Sequence, residues 1–311
     1  MTKHYYPEGW LLHSPENTDA CATVESLARA RVDRTILEGI VLLCNEKHEL
    51  LVQVGPFVGR IPREETALGI AEGTTRDIAI LSLVGKPISF TVISVNQERN
   101  GASLLLSRRQ AQEMALNEML ERWQPGQIVP ALVTHLEPFG AFVDIGCGVP
   151  SLIGVDRLSI SRIAHPKERL QVGQRICAAV LGLDRQNRRI ILTHRELLGT
   201  WTENAELFHP GSVVTGRVRG IKEYGTFIEL TPNLSGLAER TEQLSEGDRV
   251  SVFIKSILPD RMKIKLLVID RLPFEESPPA FSYFISSGRL DRWRYAPEIC
   301  QKAGGETIFV P

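Results

Sequence analysis

Pro125-Gly126-Gln127-Ile128-Val129, continuing to Pro138-Phe139-Gly140-Ala141-Phe142-Val143, returns downstream as Pro210-Gly211-Ser212-Val213-Val214 and Glu223-Tyr224-Gly225-Thr226-Phe227-Ile228. From Gly126 to Gly211 and from Phe142 to Phe227 the step is 85 residues, without a gap. Self-similarity of this kind marks one folding unit used more than once. What recurs is an aromatic, a glycine, a small residue and a second aromatic at the head of a strand. Strand side chains alternate between two faces, so Val143 and Ile145 share one face while Phe142 and Asp144 share the other. Phe227 and Glu229 oppose Ile228 and Leu230 in the same way. If the aliphatic face turns into a core, the rings and their neighbouring acids face solvent.

Working outward from this pair, short strands separated by Gly, Asn and charged turns fill both copies and a third region upstream. Ile36 to Cys44, Leu50 to Val54, Gly59 to Ile61, Pro87 to Val95 and Ser103 to Ser107 give five strands before the repeat. The middle copy reads as Ile128 to Leu136, Ala141 to Ile145, Ser151 to Val155, Arg175 to Leu183 and Arg189 to Thr193, with a helical excursion over Ser159 to Leu170. The last copy follows the same plan with a shorter middle and ends on a strand from Met262 to Ile269. Five strands in about 75 residues fit a small Greek-key barrel of the OB type. Between the barrels, Arg108 to Trp123 and His194 to Phe208 carry apolar residues at helical spacing and read as amphipathic connectors that pack on a barrel.

The expected fold is therefore mainly β: three tandem five-stranded OB-fold barrels joined by amphipathic helices. Residues 1–35 form a helical lead-in, with a helix from Thr23 to Arg34, and 36–109 the first barrel. A connector helix follows at 110–124, the second barrel at 125–195, a second connector at 196–209 and the third, shortened barrel at 210–271. The remaining 272–311 make an appendage that opens with a loose linker, Pro273 to Pro279, and turns rich in aromatics and arginine from Phe281 to Tyr295. Such a tail can stack on RNA or dock on a barrel, and we read it as docked.

Of 311 residues, 43% are hydrophobic and 23% charged, and the formal net charge is −1. That balance excludes a binder that grips phosphate through bulk charge, so any nucleic-acid site is local. The second barrel is the exception, its arginines and lysines outnumbering its acids. Five cysteines without a C-x-x-C pair give no zinc spacing and suit a reducing compartment. The apolar runs are too short for a membrane helix, and the expected location is cytoplasmic.

The run Gly126…Val133-Thr134-His135-Leu136…Phe139-Gly140-Ala141-Phe142-Val143-Asp144-Ile145-Gly146, with Val172-Gly173-Gln174 and Leu183-Asp184…Arg189-Ile190-Ile191-Leu192, resembles the S-one (S1) domain. This is an OB-fold RNA-binding module named for a bacterial small-subunit ribosomal protein. The resemblance covers nearly all of 36–271 and is strongest in the second barrel. It implies single-stranded RNA lying across a face with two aromatics, a third-strand histidine, and an Asp/Arg pair bounding the last hairpin. On that pattern Phe139 and Phe142 match the aromatics and Asp184 and Arg189 the pair, while Gly154 stands at the histidine position and Asp156 at a usual serine. In the third barrel Tyr224 and Phe227 keep the aromatics and Lys263 stands where Arg189 does, but the acid has become Leu258. The first barrel has His48 and Leu51 for the rings, Asn96 for the acid and approximately Ala102 for the arginine. It is expected to bind RNA poorly and to act as spacer or protein contact.

The function implied is non-enzymatic binding of single-stranded RNA or messenger, in translation or mRNA handling, with the small ribosomal subunit as a further partner and no cofactor, metal or small-molecule substrate. Phe139, Phe142, Tyr224 and Phe227 would stack bases, and Arg189 and Lys263 would meet phosphate. The alternative is a protein-interaction scaffold with decayed RNA binding. A nuclease using Asp144, Asp156 and Asp184 is the enzymatic competitor, and it lacks any accompanying motif: no H-E-x-x-H, Walker loop or G-x-S-x-G occurs. His135 and His165 read as surface residues.

Overall fold

The computed structural model describes residues 5–98, 101–240, 243–273, 281–300 and 305–310. It divides into two compact units: Met1–Trp123 with Pro130–Leu132 and Asp144–Pro150, and the rest of the chain. Three closed five-stranded barrels are present. In the first, β1 (Leu37–Cys44), β2 (Leu50–Val54), β3 (Phe57–Ile61), β4 (Pro87–Glu98) and β5 (Gly101–Ser107) close in the order β1-β2-β3-β5-β4. The second uses β6 (Ile128–Glu137), β7 (Gly140–Asp144), β8 (Pro150–Gly154), β9 (Arg175–Asp184) and β10 (Arg189–Thr193). The third uses β11 (Val213–Lys222), β12 (Gly225–Thr231), β13 (Leu234–Ala238), β14 (Arg249–Leu258) and β15 (Lys263–Leu272). Both repeat the same circuit, with the third and fifth strands parallel and the other pairs whose register is resolved antiparallel.

In the first unit, α1 (Pro15–Ala20) and α2 (Val24–Val32) precede the barrel, and Thr23 and Ser26 form a capping box on α2. A short α3 (Ile78–Leu81) follows β3, and α4 (Arg108–Arg122) starts on a Ser107 cap. Ala111, Ala115, Met119 and Leu120 give α4 the buried stripe that their spacing predicts. The core gathers around Leu27, Leu50, Ile88, Phe90 and Leu106, all fully buried.

The second unit's core joins Val218, Ile228, Val252 and Leu266 of the third barrel to Trp201, Trp293 and Tyr295. The appendage thus supplies core residues, and its β16 (Arg292–Arg294) pairs antiparallel with β17 (Glu306–Ile308). The expected loose linker from Pro273 to Pro279 falls, after Pro273, outside the described residues.

Two helical expectations give way to tertiary contacts. The connector from His194 to Phe208 is a 3-10 turn (Arg195–Leu198) and a short α5 (Trp201–Ala205), separated by Gly199 at φ +81°. A Cβ there would lie 2.5 Å from the Phe284 ring, and the Thr200–Glu203 capping box restarts the helix. The excursion from Ser159 to Leu170 holds only one 3-10 turn, Pro166–Glu168. Its backbone is claimed elsewhere: Ile160 N–H donates to Asn233 Oδ1 and Ser161 N–H to the Pro232 carbonyl. Asn233 is fully buried, and its amide also donates to the carbonyls of Arg195 and Gly199, while its own carbonyl accepts from Tyr295 O–H.

His194 shows how the appendage is held. It is fully buried, with Nδ1 2.9 Å from the Leu158 carbonyl and Nε2 3.0 Å from the Tyr283 hydroxyl, which also accepts from Cys177 N–H. With Nδ1 donating and Tyr283 donating to Nε2, every partner is matched by a neutral ring. Burial pulls the His194 pKa down to about 4. The unfolded chain takes up this proton near pH 6.5 and the folded chain does not until about 4, so stability falls as pH drops through that window, by at most about 3 kcal/mol. His194→Gln should cost about 1–3 kcal/mol at pH 7 by leaving these partners poorly paired. In denaturant unfolding the gap to the parent chain should narrow between pH 6.5 and 4; a constant gap would show that His194 does not carry this pH dependence.

Candidate nucleic-acid interface

The register of the third barrel lays out its outward face. Gly220 on β11 is opposite Phe227 on β12, Phe227 opposite Leu237 on β13, Leu237 beside Lys265 on β15, and Lys265 opposite Ser256 on β14. Thr226 and Ile228 are fully buried, so Phe227 between them points away from the core. Tyr224, on the turn before β12, is 70% exposed, and its ring sits 6.0 Å from that of Phe227 at an interplanar angle of 89°. Gly225 makes this possible: a Cβ there would lie 2.6 Å from the Ala238 carbonyl, and its φ is +149°.

The second barrel repeats the arrangement. Ala141 and Val143 are fully buried, Phe142 lies between them facing out, and Phe139 is 57% exposed. Their ring centroids are 5.9 Å apart at 88°. An added Cβ on Gly140 would meet the Ile153 carbonyl at 2.5 Å, the counterpart of the Gly225 approach. Edge-to-face pairs leave one ring face free beside a second ring, a shape onto which a base can stack.

Sequence reasoning missed two residues on these faces. His135 on β6 lies 6.3 Å from Phe142 and is exposed, with Nε2 2.6 Å from Glu137 Oε1. The 85-residue step that revealed the other rings concealed it, because it lands on Gly220. Lys265, rather than Lys263, shares the lateral row of Phe227; Lys263 pairs with Leu258 nearer the hairpin tip and is also exposed. The signal for Lys265 was parallel pairing of the third and fifth strands, which spacing alone does not register.

Asp184 and Arg189 are cross-strand partners in the β9–β10 hairpin. Asp184 accepts from the backbone and side-chain N–H groups of Asn187, at 3.0 and 2.7 Å, and these bonds, with Arg189 nearby, hold its carboxyl below the usual range. The aspartate is therefore committed to the turn, and exposed Arg189 is the member free to meet a ligand. In the first barrel the comparable row is Leu43, Leu51, Arg60, Leu105 and Ser94, with Arg60 paired to Glu49 and no ring. His48, at φ +58°, and Leu51 do not make a ring pair.

The acids beside the rings do not face solvent as alternation suggested. Asp144 is only 3% exposed and accepts from the N–H groups of Glu8, Gly146 and Gly148 at 2.7, 2.8 and 2.9 Å. Burial pushes its pKa up to about 7 against the pull of these bonds. Glu229 is 8% exposed because Arg169 and Arg219 close over it. Among the described residues no group of three or more His, Cys, Asp or Glu side chains is gathered to hold a metal ion.

Residues 122–195 match the family model described as the S1 RNA binding domain. The chain is 30% identical over 286 residues to small ribosomal subunit protein bS1 of Leuconostoc lactis, covering 85% of this chain and 63% of that protein. It is 31% identical over 212 residues to a bS1 homolog of Bacillus subtilis, covering 63% of this chain and 54% of the relative. The chain thus spans less than two thirds of the length of these relatives. Among solved structures, a multidomain protein with nucleic acid binding domains from Streptococcus pneumoniae aligns over 77% of this chain and 74% of that one, at 16% identity and a TM-score of 0.26.

Because the four rings stand outside the core, their removal should scarcely affect folding. Phe142→Ala or Phe227→Ala should cost less than about 1.5 kcal/mol in urea unfolding, against about 3–5 kcal/mol for the buried Phe90→Ala. A loss at either outward ring as large as that at Phe90 would mean that the ring supports the core. The second barrel, which carries outward rings, is thus the part of the chain that matches the S1 RNA binding domain, and over most of its length the chain resembles small ribosomal subunit protein bS1.

Proposed function

We propose that the chain binds single-stranded RNA, without catalysing a reaction on it, through the ring pairs of its second and third barrels. The observation that carries this reading is the recurrence of one geometry at two outward sites: paired rings 5.9 and 6.0 Å apart, at 88° and 89°. Two barrels would not keep perpendicular aromatics out of their cores at equivalent positions for packing alone, since exposed rings have no favourable partner in water.

On this reading Phe139, Phe142, Tyr224 and Phe227 stack bases, His135 extends the second platform, and Arg189, Lys263 and Lys265 meet phosphate. Stacking contributes about 1–3 kcal/mol per base, so one barrel binds modestly. Two barrels on one strand gain through effective concentration. Binding is tolerant of sequence and weakens with salt. The resemblance to bS1 supports a role in translation or messenger handling, with the small ribosomal subunit as partner.

The scaffold reading is favoured for the first barrel only, where Ile40, Leu42, Leu43 and Val58 are exposed aliphatics and the ring positions are empty of aromatics. Fluorescence anisotropy with an unstructured, labelled RNA tests the proposal. Replacing Phe139 and Phe142 together by Ala should weaken binding by about 10-fold or more, and adding Tyr224→Ala and Phe227→Ala should reduce it further. Unchanged affinity in the fourfold variant would reject RNA stacking and leave the scaffold.

A further inference from the structure

We propose that the arginine-lined cleft beside Phe227 is a phosphate-binding subsite, which takes the backbone of the RNA strand where it leaves the third barrel's rings. This rests on the RNA-binding reading above and adds to it a site that neither ring pair nor hairpin cation supplies.

The cleft is lined by Glu168, Arg169, Arg217, Arg219, Glu229 and Arg249, with Thr215 and Thr231 at its side. Four of these side chains are guanidiniums and two are carboxylates. Arg219 bridges Glu168 and Glu229, and Arg169 also bonds Glu229, so these four groups balance one another. Arg217 has no such partner among the described residues and is left as a surplus positive charge, with Arg249 beside it. The register explains their position: Glu229 is opposite Arg217 and Arg217 opposite Arg249, in one lateral row over β12, β11 and β14. Val218, Ile228 and Val250, the neighbours along each strand, are fully buried, so the row lies on the outward face.

Arg217 is half-buried and, although its strand partner is a carboxylate, its side chain makes no hydrogen bond or ion pair among the described residues. Both Glu229 oxygens are already taken, Oε2 by Arg169 and Arg219 and Oε1 by Arg219. A partly desolvated guanidinium next to other cations is unfavourable without a counter-charge. Its fork of donors fits a phosphate in bidentate fashion. Phe227 lies two residues from Glu229 on the same face of β12, about 7 Å along the strand. A strand whose base stacks on Phe227 therefore carries its next phosphate toward Arg217.

The test uses the full chain and compares Arg217→Gln, Arg217→Lys, Phe227→Ala and an exposed control in the other unit, Arg31→Gln, against unstructured RNA over a salt series. Arg217→Gln should bind roughly 10-fold more weakly at low salt and lower the slope of log affinity against log salt by about 0.7, one single-strand phosphate contact. Arg217→Lys should recover most of the slope and only part of the affinity, and Arg31→Gln should change neither. Unfolding midpoints should be unaltered, because Arg217 makes no side-chain bond to lose. If Phe227→Ala weakens binding while Arg217→Gln leaves affinity and slope intact, the subsite is wrong and RNA stacking stands. If the parent chain binds no RNA, both readings fall. If inorganic phosphate or a nucleoside monophosphate raises the parent's thermal midpoint, loses that effect in Arg217→Gln, and RNA affinity is indifferent to the same change, the cleft serves a free phosphate ligand and the RNA subsite is overturned.

Discussion

Glu229 is an outward-facing carboxylate that two guanidiniums have converted into a buried one. Arg219 reaches it from the neighbouring strand of the same barrel and Arg169 from the turn region of the preceding barrel, while Arg219 also holds Glu168 there. A buried ion network adds little net stability, because desolvation offsets most of the attraction, but removing one member leaves an unpaired charge and is costly. Its value is geometric. Together with Asn233, which is bonded to the excursion, to the connector after β10 and to Tyr295, it ties the excursion after β8 to the turn between β12 and β13. Both ring pairs belong to this second unit, so they are presented by one packed body.

The same network accounts for the character of the outward face. With Glu229 buried under arginines, the ring of Phe227 is left as the accessible feature of β12, as Phe142 is on β7, where Asp144 is buried against backbone N–H groups. Where a guanidinium has no acid left to meet, at Arg217, the face becomes locally basic although the chain carries a net charge of −1. Local charge of this kind suits a modest, salt-sensitive grip better than a uniformly basic surface would.

Most of the fold was legible in the sequence, since the strands are short, alternating and bounded by turn residues, and the barrel circuit follows from those strands. The inner and outer faces of β7 and β12 could be read from Val143 and Ile228 alone, and burial agrees. The failures have a common cause. The excursion after β8 and the connector after β10 carry apolar residues at helical spacing, yet their N–H and C=O groups bond to Asn233, Pro232 and Tyr295 across the unit, and Gly199 breaks the run. Local propensity is weak beside a set of buried tertiary hydrogen bonds.

The sequence by itself determined three barrels, two of them with a ring-Gly-small-ring motif, because strand alternation and an unbroken repeat are properties of neighbouring residues. Only the tertiary structure decided that Asp144 and Glu229 are buried, that His135 and Lys265 join the ring faces, and that the appendage is core rather than tail. Those outcomes depend on which groups far apart in the chain meet, and a charged side chain's exposure is set by such a partner rather than by its position in a strand.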